Sequence, residues 1–166
     1  MKKIITLVTL IILVASMITG CGSGEIDAKD LYKNYFVKCH KITTEFTEEV
    51  QEIGDKFTNR KITKKKLNKK LNKLADNAIE DLEELKSRLE KEKVNGENKR
   101  LKIYATTYIH ESERFISVCA DSIINHKGYK SRLAIEKRKD ILYDAGNEFI
   151  HWYNSATGED IGYFRR

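Results

Sequence analysis

Hydrophobic residues recur every three or four positions along most of the chain after residue 26, the spacing of one buried helix face. In the first such segment the steps are 4, 4, 3, 4, 4, 3 and 4, an 11-residue repeat that keeps one face in register along a nearly straight helix. Asp27 is placed to cap this helix, so we predict a helix over about 27–58. Its buried face is predicted to carry Leu31, Tyr35, Cys39, Ile42, Phe46, Val50, Ile53 and Phe57.

A second segment repeats this pattern, with Thr63 as the predicted N-cap. Asn95 and Gly96 both tolerate the left-handed conformation that ends helices, so we place this helix at about 63–94. Its predicted buried face holds Leu67, Leu71, Leu74, Ala78, Leu82, Leu85 and Leu89.

Two further helices are predicted at about 98–126 and 131–156, ended by the glycines of 126–128 and 157–158. The inward face of the third carries Leu101, Ala105, Tyr108, Ser112, Phe115, Cys119 and Ile123, with Ile109 and Ile116 beside them. The fourth is predicted to bury Ile135, Leu142, Ala145, Phe149, Trp152 and Ala156. The remaining residues form a short tail that could fold back on the bundle.

The fold class follows from these four segments. No segment alternates with a period of two for long enough to predict a strand, and none of the 166 residues is a proline, the strongest helix breaker. Helices of similar length joined by short loops predict an all-α fold, an elongated up-down bundle of four long helices over 27–166.

The N-terminus has a different pattern. Lys2 and Lys3 precede a short apolar stretch that ends in small residues, as in a secretory signal peptide. Ile18-Thr19-Gly20-Cys21 resembles the lipobox of bacterial lipoprotein precursors. The resemblance implies cleavage before Cys21, diacylglycerol on its sulfur and usually a further acyl chain on its amine. Two or more chains anchor a protein stably. A membrane-spanning anchor, which needs about 20 apolar residues, and an ordinary secreted protein are the alternatives.

We therefore predict a cleaved signal peptide at 1–20, a lipid anchor and flexible spacer at 21–26, and a bundle domain at 27–166. The protein is expected on the extracytoplasmic face of the bacterial cell membrane, held there through lipid on Cys21. The chain has 31 basic and 25 acidic residues. Loss of the two signal-peptide lysines leaves 29 against 25. This balance is typical of a solvated helical surface rather than of a dedicated nucleic-acid binder.

Lysines crowd the start of the second helix, where the helix dipole disfavours cations, whereas the second half of that helix is acidic. Because the lipid lies at the start of the first helix, this lysine-rich turn is predicted to point away from the membrane. The turn between helices three and four lies at the same end, so we expect a cationic distal tip and an acidic end nearer the lipid. The candidate binding residues are Lys61, Lys64, Lys65, Lys66, Lys69, Lys70, Lys73, Lys127, Lys130 and Arg132.

A basic tip predicts contact with an anionic partner. We expect a non-catalytic adaptor for another envelope protein, and the alternative is a binder of anionic wall polymer or nucleic acid through the lysines. Sequence-specific nucleic-acid reading is not expected, because no recognition motif or stacking platform accompanies the cluster. The alternative to a binding function is an ordinary solvent-exposed helix face whose lysines pair with acidic residues of helices one and four.

The remaining candidate chemistry is sparse. Cys39 and Cys119 lie about 18 Å and 31 Å along their helices, so we predict buried thiols rather than a disulfide, although a shifted register would reverse this. Glu148 and His151 have the spacing of half a di-iron motif, which leaves a metal-binding or enzymatic bundle as the weakest reading. No phosphate loop or nucleophile elbow is present in the sequence. We expect no catalytic residue, metal, cofactor or small-molecule substrate.

Overall fold

A computed structural model describes residues 24–125 and 128–165. Over these residues the chain forms four helices and no β-strand, which confirms the predicted all-α bundle. Helix α1 (28–58) is made of an α-helical turn Ala28–Leu31, a π-helical segment Tyr32–Phe36 and an α-helix Val37–Thr58. The others are α2 (Lys64–Lys91), α3 (Lys99–Asn125) and α4 (Tyr129–Thr157). The predicted signal peptide and Cys21 lie outside the described residues.

The two predicted N-caps are confirmed. An Asp27 carboxylate oxygen accepts a hydrogen bond from the backbone N–H of Asp30 at 2.8 Å. The Thr63 hydroxyl accepts one from the N–H of Lys66 at 3.3 Å. Each cap satisfies one of the N–H groups that the first turn of a helix leaves without a partner.

The prediction that Asn95 and Gly96 end α2 is wrong. The helix stops at Lys91, and Glu92 is already extended. The segment that follows pairs with the residue just before the Asp27 cap of α1, where the N–H of Ile26 donates to the carbonyl of Lys93 at 2.8 Å. Lys102 satisfies the carbonyls left open at this helix end, because its ammonium donates to the carbonyl oxygens of Glu90 at 3.0 Å and of Glu92 at 2.7 Å.

Helix α1 departs from the uninterrupted α-helix that its repeat predicts. The π-helical segment Tyr32–Phe36 widens one turn, so that Tyr35 and Phe36 are both buried although they are adjacent in sequence. Phe36 stacks on Phe149 of α4 with ring centroids 4.4 Å apart. At the far end of the helix Phe57, predicted to be buried, is 38% exposed.

Helix α3 lies at the centre of the bundle, where it contacts α1, α2 and α4. The predicted faces of α2 and α3 are confirmed almost throughout, since most of their leucines, isoleucines and small residues line the main core. Leu67 and Leu71 of α2 belong to a second, smaller cluster with Ile53 of α1. The core of α4 is rotated relative to the prediction: Ala156 is exposed and Trp152 only half-buried. Its buried residues are Leu142, Gly146, Phe149, Ile150 and Tyr153.

The tail explains that rotation, because it folds back on α4 and covers part of it. The side-chain amide of Asn147 accepts from the N–H of Phe164 at 2.7 Å and donates to its carbonyl at 3.3 Å. Asn154 forms the same pair of bonds with Ile161, both at 3.0 Å. The two side-chain amides bond to the backbone of the tail as a neighbouring strand would, and they hold the tail extended. Gly146 has no side chain, so the Phe164 ring can lie directly against α4.

We expect Gly146→Ala to lower the free energy of unfolding by about 1–3 kcal/mol, because a Cβ there would overlap the Phe164 ring and crowd Tyr108. Urea unfolding followed by circular dichroism would measure it. Gly54→Ala is the matched control, since a Cβ at Gly54 of α1 meets no atom within 4 Å and helix propensity there favours alanine by about 0.5–1 kcal/mol. Equal effects of the two substitutions would contradict the packing of Phe164 on Gly146.

Candidate interaction surface at the cationic end

The turn between α1 and α2 and the turn between α3 and α4 meet at one end of the bundle. Ile62 of the first turn and Ile123 of α3 pack against the same small core cluster. The Lys64 ammonium donates to the carbonyl of Ile123 at 3.2 Å, and the Ser131 hydroxyl donates to the carbonyl of Ser122 at 2.9 Å. We call this the cationic end; the opposite end, where the chain enters α1, is the proximal end.

The lysines predicted at the start of α2 lie on its solvent side. All are exposed, and none forms an ion pair with a described residue. The first turn of α2 contains no acidic residue that could compensate them. These lysines, which we call the lysine cluster, are Lys61, Lys64, Lys65, Lys66, Lys69, Lys70 and Lys73.

Acidic residues of α1 do not neutralise this cluster. Residues 56–73 contain nine basic and no acidic residues. On the neighbouring stretch of α1, Glu45 pairs with Lys41 at 3.6 Å and Glu52 with Lys56 at 3.1 Å, both within α1. The interpretation of the lysines as a face paired with acids of helices one and four therefore does not hold among the described residues.

The start of α4 adds fewer free charges than expected. Lys130 is exposed, whereas Arg132 pairs with Glu136 at 2.7 Å, which raises the pKa of the Arg132 guanidinium. Lys127 lies outside the described residues. Arg138 turns inward to form an ion pair with Glu111 of α3 and does not belong to the exposed surface.

Exposed apolar side chains accompany the charges, and the sequence analysis missed them. Tyr129 is 76% exposed and Leu133 is 50% exposed, one turn apart on the same side of α4. In the sequence they can be recognised as two apolar residues, four positions apart, that do not lie on the buried face of the helix. Because isolated exposed apolar residues are common on protein surfaces, such a pair does not by itself predict an interface.

The proximal end carries both signs of charge, so the expected acidic character near the lipid is not uniform. Lys29 pairs with Glu159 at 2.8 Å. The Arg100 guanidinium lies 4.1 Å from the centre of the Trp152 ring, a cation–π contact beside a cleft of about 810 Å³. Trp152 also stacks on Tyr104, whereas Tyr108 and Tyr153 belong to the core.

Cys39 and Cys119 are both buried and unpaired. Cys39 donates to the hydroxyl of Ser112 at 3.2 Å, so it lies level with a position about two turns before Cys119. Burial raises the pKa of the Cys39 thiol to about 12 and that of Cys119 to about 11. Both side chains are therefore protonated at neutral pH and lack the thiolate needed for nucleophilic chemistry.

Glu148 and His151 both face solvent, and the His151 ring lies edge-on to Trp152 at 5.5 Å. Within 24–125 and 128–165, no group of three histidine, cysteine, aspartate or glutamate side chains is placed to hold a metal ion. A di-iron site needs several inward carboxylates and histidines, and these two residues do not contribute to one.

Comparisons with protein-family models, with curated proteins and with solved structures find no match to this chain. Among the described helices, none combines the length and the apolar character needed to cross a bilayer. The cationic end is therefore described by its own chemistry: exposed ammonium groups on α2 and exposed apolar side chains on α4 at the same end of the bundle.

Proposed function

We propose that this chain is a lipid-anchored protein of the extracytoplasmic face of a bacterial cell membrane, and that its bundle is a non-catalytic interaction module. The cationic end binds an acidic partner protein of the envelope. The observation that carries the proposal is the lysine cluster, in which every side chain is exposed and none forms an ion pair with a described residue. The resemblance of residues 18–21 to a lipobox supports the anchor.

The position of the lysine cluster argues that it is not there for stability. Cations in the first turn of a helix oppose the dipole and cost about 0.3–1 kcal/mol each. Carboxylates on the same helix face would offset that cost, and residues 56–73 contain none. A stretch that concentrates charge against local stability, without internal compensation, is suited to attracting an external anion.

The geometry supports contact at a distance from the membrane. Helix α2 has 28 residues, a length of about 42 Å, and the lysine cluster lies at the end opposite the start of α1. Since Cys21 precedes α1 by only a few residues, a lipid on that cysteine would tether the proximal end, opposite the lysine cluster, to the bilayer.

Exposed apolar groups favour a protein partner. Tyr129 and Leu133 project at the cationic end, and aromatic residues are enriched at protein–protein interfaces. Anionic wall polymer is the second candidate, because residues 56–73 contain nine basic residues and no acidic residue. If the protein bound polyphosphate more tightly than polyglutamate of equal charge, the polymer would be favoured over an acidic protein.

We expect the full-length protein in neutral detergent micelles to bind fluorescent polyglutamate, and the variant Lys65→Glu/Lys66→Glu/Lys69→Glu to bind it about tenfold or more weakly. Lys64 is kept because it also bonds to α3. Fluorescence anisotropy would measure the Kd, which should rise steeply between low and physiological salt. The variant should melt at the same or a higher temperature, because glutamates suit a helix N-terminus.

Lys33→Glu/Lys38→Glu/Lys91→Glu is the matched control, since it changes the net charge equally at exposed lysines that form no ion pair with a described residue. It should retain most of the polyglutamate affinity. Equal losses in the two variants would reduce the effect to net charge. No binding by the wild-type protein at low salt would overturn the proposal.

A further inference from the structure

An open apolar hollow lies at the cationic end, between the end of α3 and the start of α4. Its volume is about 500 Å³. The apolar part of the lining comes from Ile123 and Ile135, both only partly buried, so their side chains remain accessible from the hollow. The remaining lining residues are Gly128, Ser131, Arg132 and Glu136.

Cations lie in and near this hollow. Lys64, a member of the lysine cluster, bonds to the backbone carbonyl of Ile123 at 3.2 Å, and the Ile123 residue is part of the lining. Arg132 also lines the hollow and is paired with Glu136 at 2.7 Å. Among the described residues of the lining, Glu136 is the only carboxylate, and Arg132 pairs with it.

Two exposed apolar side chains of α4 lie near the hollow. On the first two turns of α4, Arg132 and Glu136 lie between the hollow and the pair Tyr129 and Leu133, because these positions follow one another around the helix. Apolar groups therefore flank the Arg132–Glu136 ion pair on both sides, at the end of the bundle that carries the lysine cluster. An amphipathic acidic segment has the complementary arrangement, with apolar side chains beside carboxylates.

We propose that this surface, consisting of the hollow, Tyr129 and Leu133, anchors apolar side chains of an acidic segment in the partner protein, while the lysine cluster binds the carboxylates. The inference rests on the proposed function and adds to it the kind of segment that is recognised. A polymer of sugars and phosphates satisfies the ammonium groups but offers no apolar side chain for a hollow lined by two isoleucines.

Two synthetic peptides of equal length and charge test this, one alternating glutamate with leucine and the other glutamate with serine. Full-length protein in neutral detergent micelles is titrated into each fluorescent peptide. We expect the leucine peptide to bind about tenfold more tightly, the gain expected from burying one leucine side chain. The same titration with the Lys65→Glu/Lys66→Glu/Lys69→Glu protein measures how much of each peptide partitions into the detergent. That signal is subtracted from the wild-type titration.

Two variants locate the preference. Ile135→Asn makes the hollow polar, and Tyr129→Ser/Leu133→Ser removes exposed side chains that lie outside the core. Each should reduce the affinity ratio of the two peptides to about threefold or less and leave the Kd for the serine peptide unchanged. Circular dichroism checks the fold, and the surface variant keeps the test valid if Ile135→Asn unfolds.

The outcomes separate the two proposals. Equal Kd values for the two peptides on the wild-type protein, or a preference that persists in the surface variant, would overturn the anchoring surface while leaving lysine-dependent binding in place. Failure of both peptides to bind at low salt would overturn the proposed function itself.

Discussion

Replacing Glu111 by alanine is expected to lower the free energy of unfolding by about 3–5 kcal/mol, the usual cost of removing one partner from a buried ion pair. Glu111 of α3 accepts from the guanidinium of Arg138 of α4, and the two side chains are only 13% and 11% exposed. Burial lowers the pKa of Arg138, and the neighbouring Glu111 charge opposes that shift. Without Glu111 the guanidinium is left buried with no anion within reach among its described neighbours.

Urea unfolding followed by circular dichroism measures this loss, and two controls define its origin. Glu136→Ala removes the exposed pair with Arg132, where both side chains are more than half exposed; it should cost about 1 kcal/mol or less. Glu111→Leu/Arg138→Met replaces the buried pair by apolar groups and should recover most of the stability. A single-variant loss no larger than that of Glu136→Ala would refute a buried, energetically coupled pair.

Phe149→Ala is expected to cost about 3–5 kcal/mol, as large-to-small changes at fully buried aromatic residues do. Phe149 has no exposed surface and lies at the centre of an aromatic cluster. Its ring centroid is 4.4 Å from that of Phe36, 6.5 Å from that of Tyr32 and 6.2 Å from that of Tyr153. Truncation leaves a cavity among rigid rings, which are held by two helices and cannot collapse into the space.

The same unfolding measurement on Phe57→Ala supplies a control of the same residue type. Phe57 lies at the end of α1 and is 38% exposed, so its truncation should cost about 1 kcal/mol or less. If Phe149→Ala proved no more costly than Phe57→Ala, the aromatic cluster would not be the packed centre described above.

Much of the candidate surface followed from local pattern. The predicted position of the lysine cluster at the start of α2 needed only the N-cap at Thr63 and the leucine spacing that set the buried face. Its location opposite the start of α1 followed from helix lengths. The up-down topology placed the α3–α4 turn beside it, as the contacts of Lys64 and Ile62 bear out.

The apolar half of the surface could not be reached in this way. Tyr129 precedes the predicted start of the fourth helix at 131, and Leu133 lies off the predicted buried face, which was about one residue out of phase. The observed phase includes a contact with the tail, since Phe164 lies against Gly146, which shares the buried face of α4 with Ile150 and Tyr153. Glycine gives no apolar signal in a sequence, so its role as a packing site appears only when its neighbour is known.

The sequence by itself determined the helix content, the up-down order, three nearly complete core faces and the concentration of lysines at one end. These depend on contacts within one helix or on the period of its apolar positions, which a linear pattern records. Tertiary structure alone decided the π-helical turn, the end of α2 at Lys91, the inward Arg138–Glu111 pair and the apolar hollow beside Lys64. Each depends on atoms from segments distant in sequence, whose competition for space and hydrogen bonds overrides the local preference.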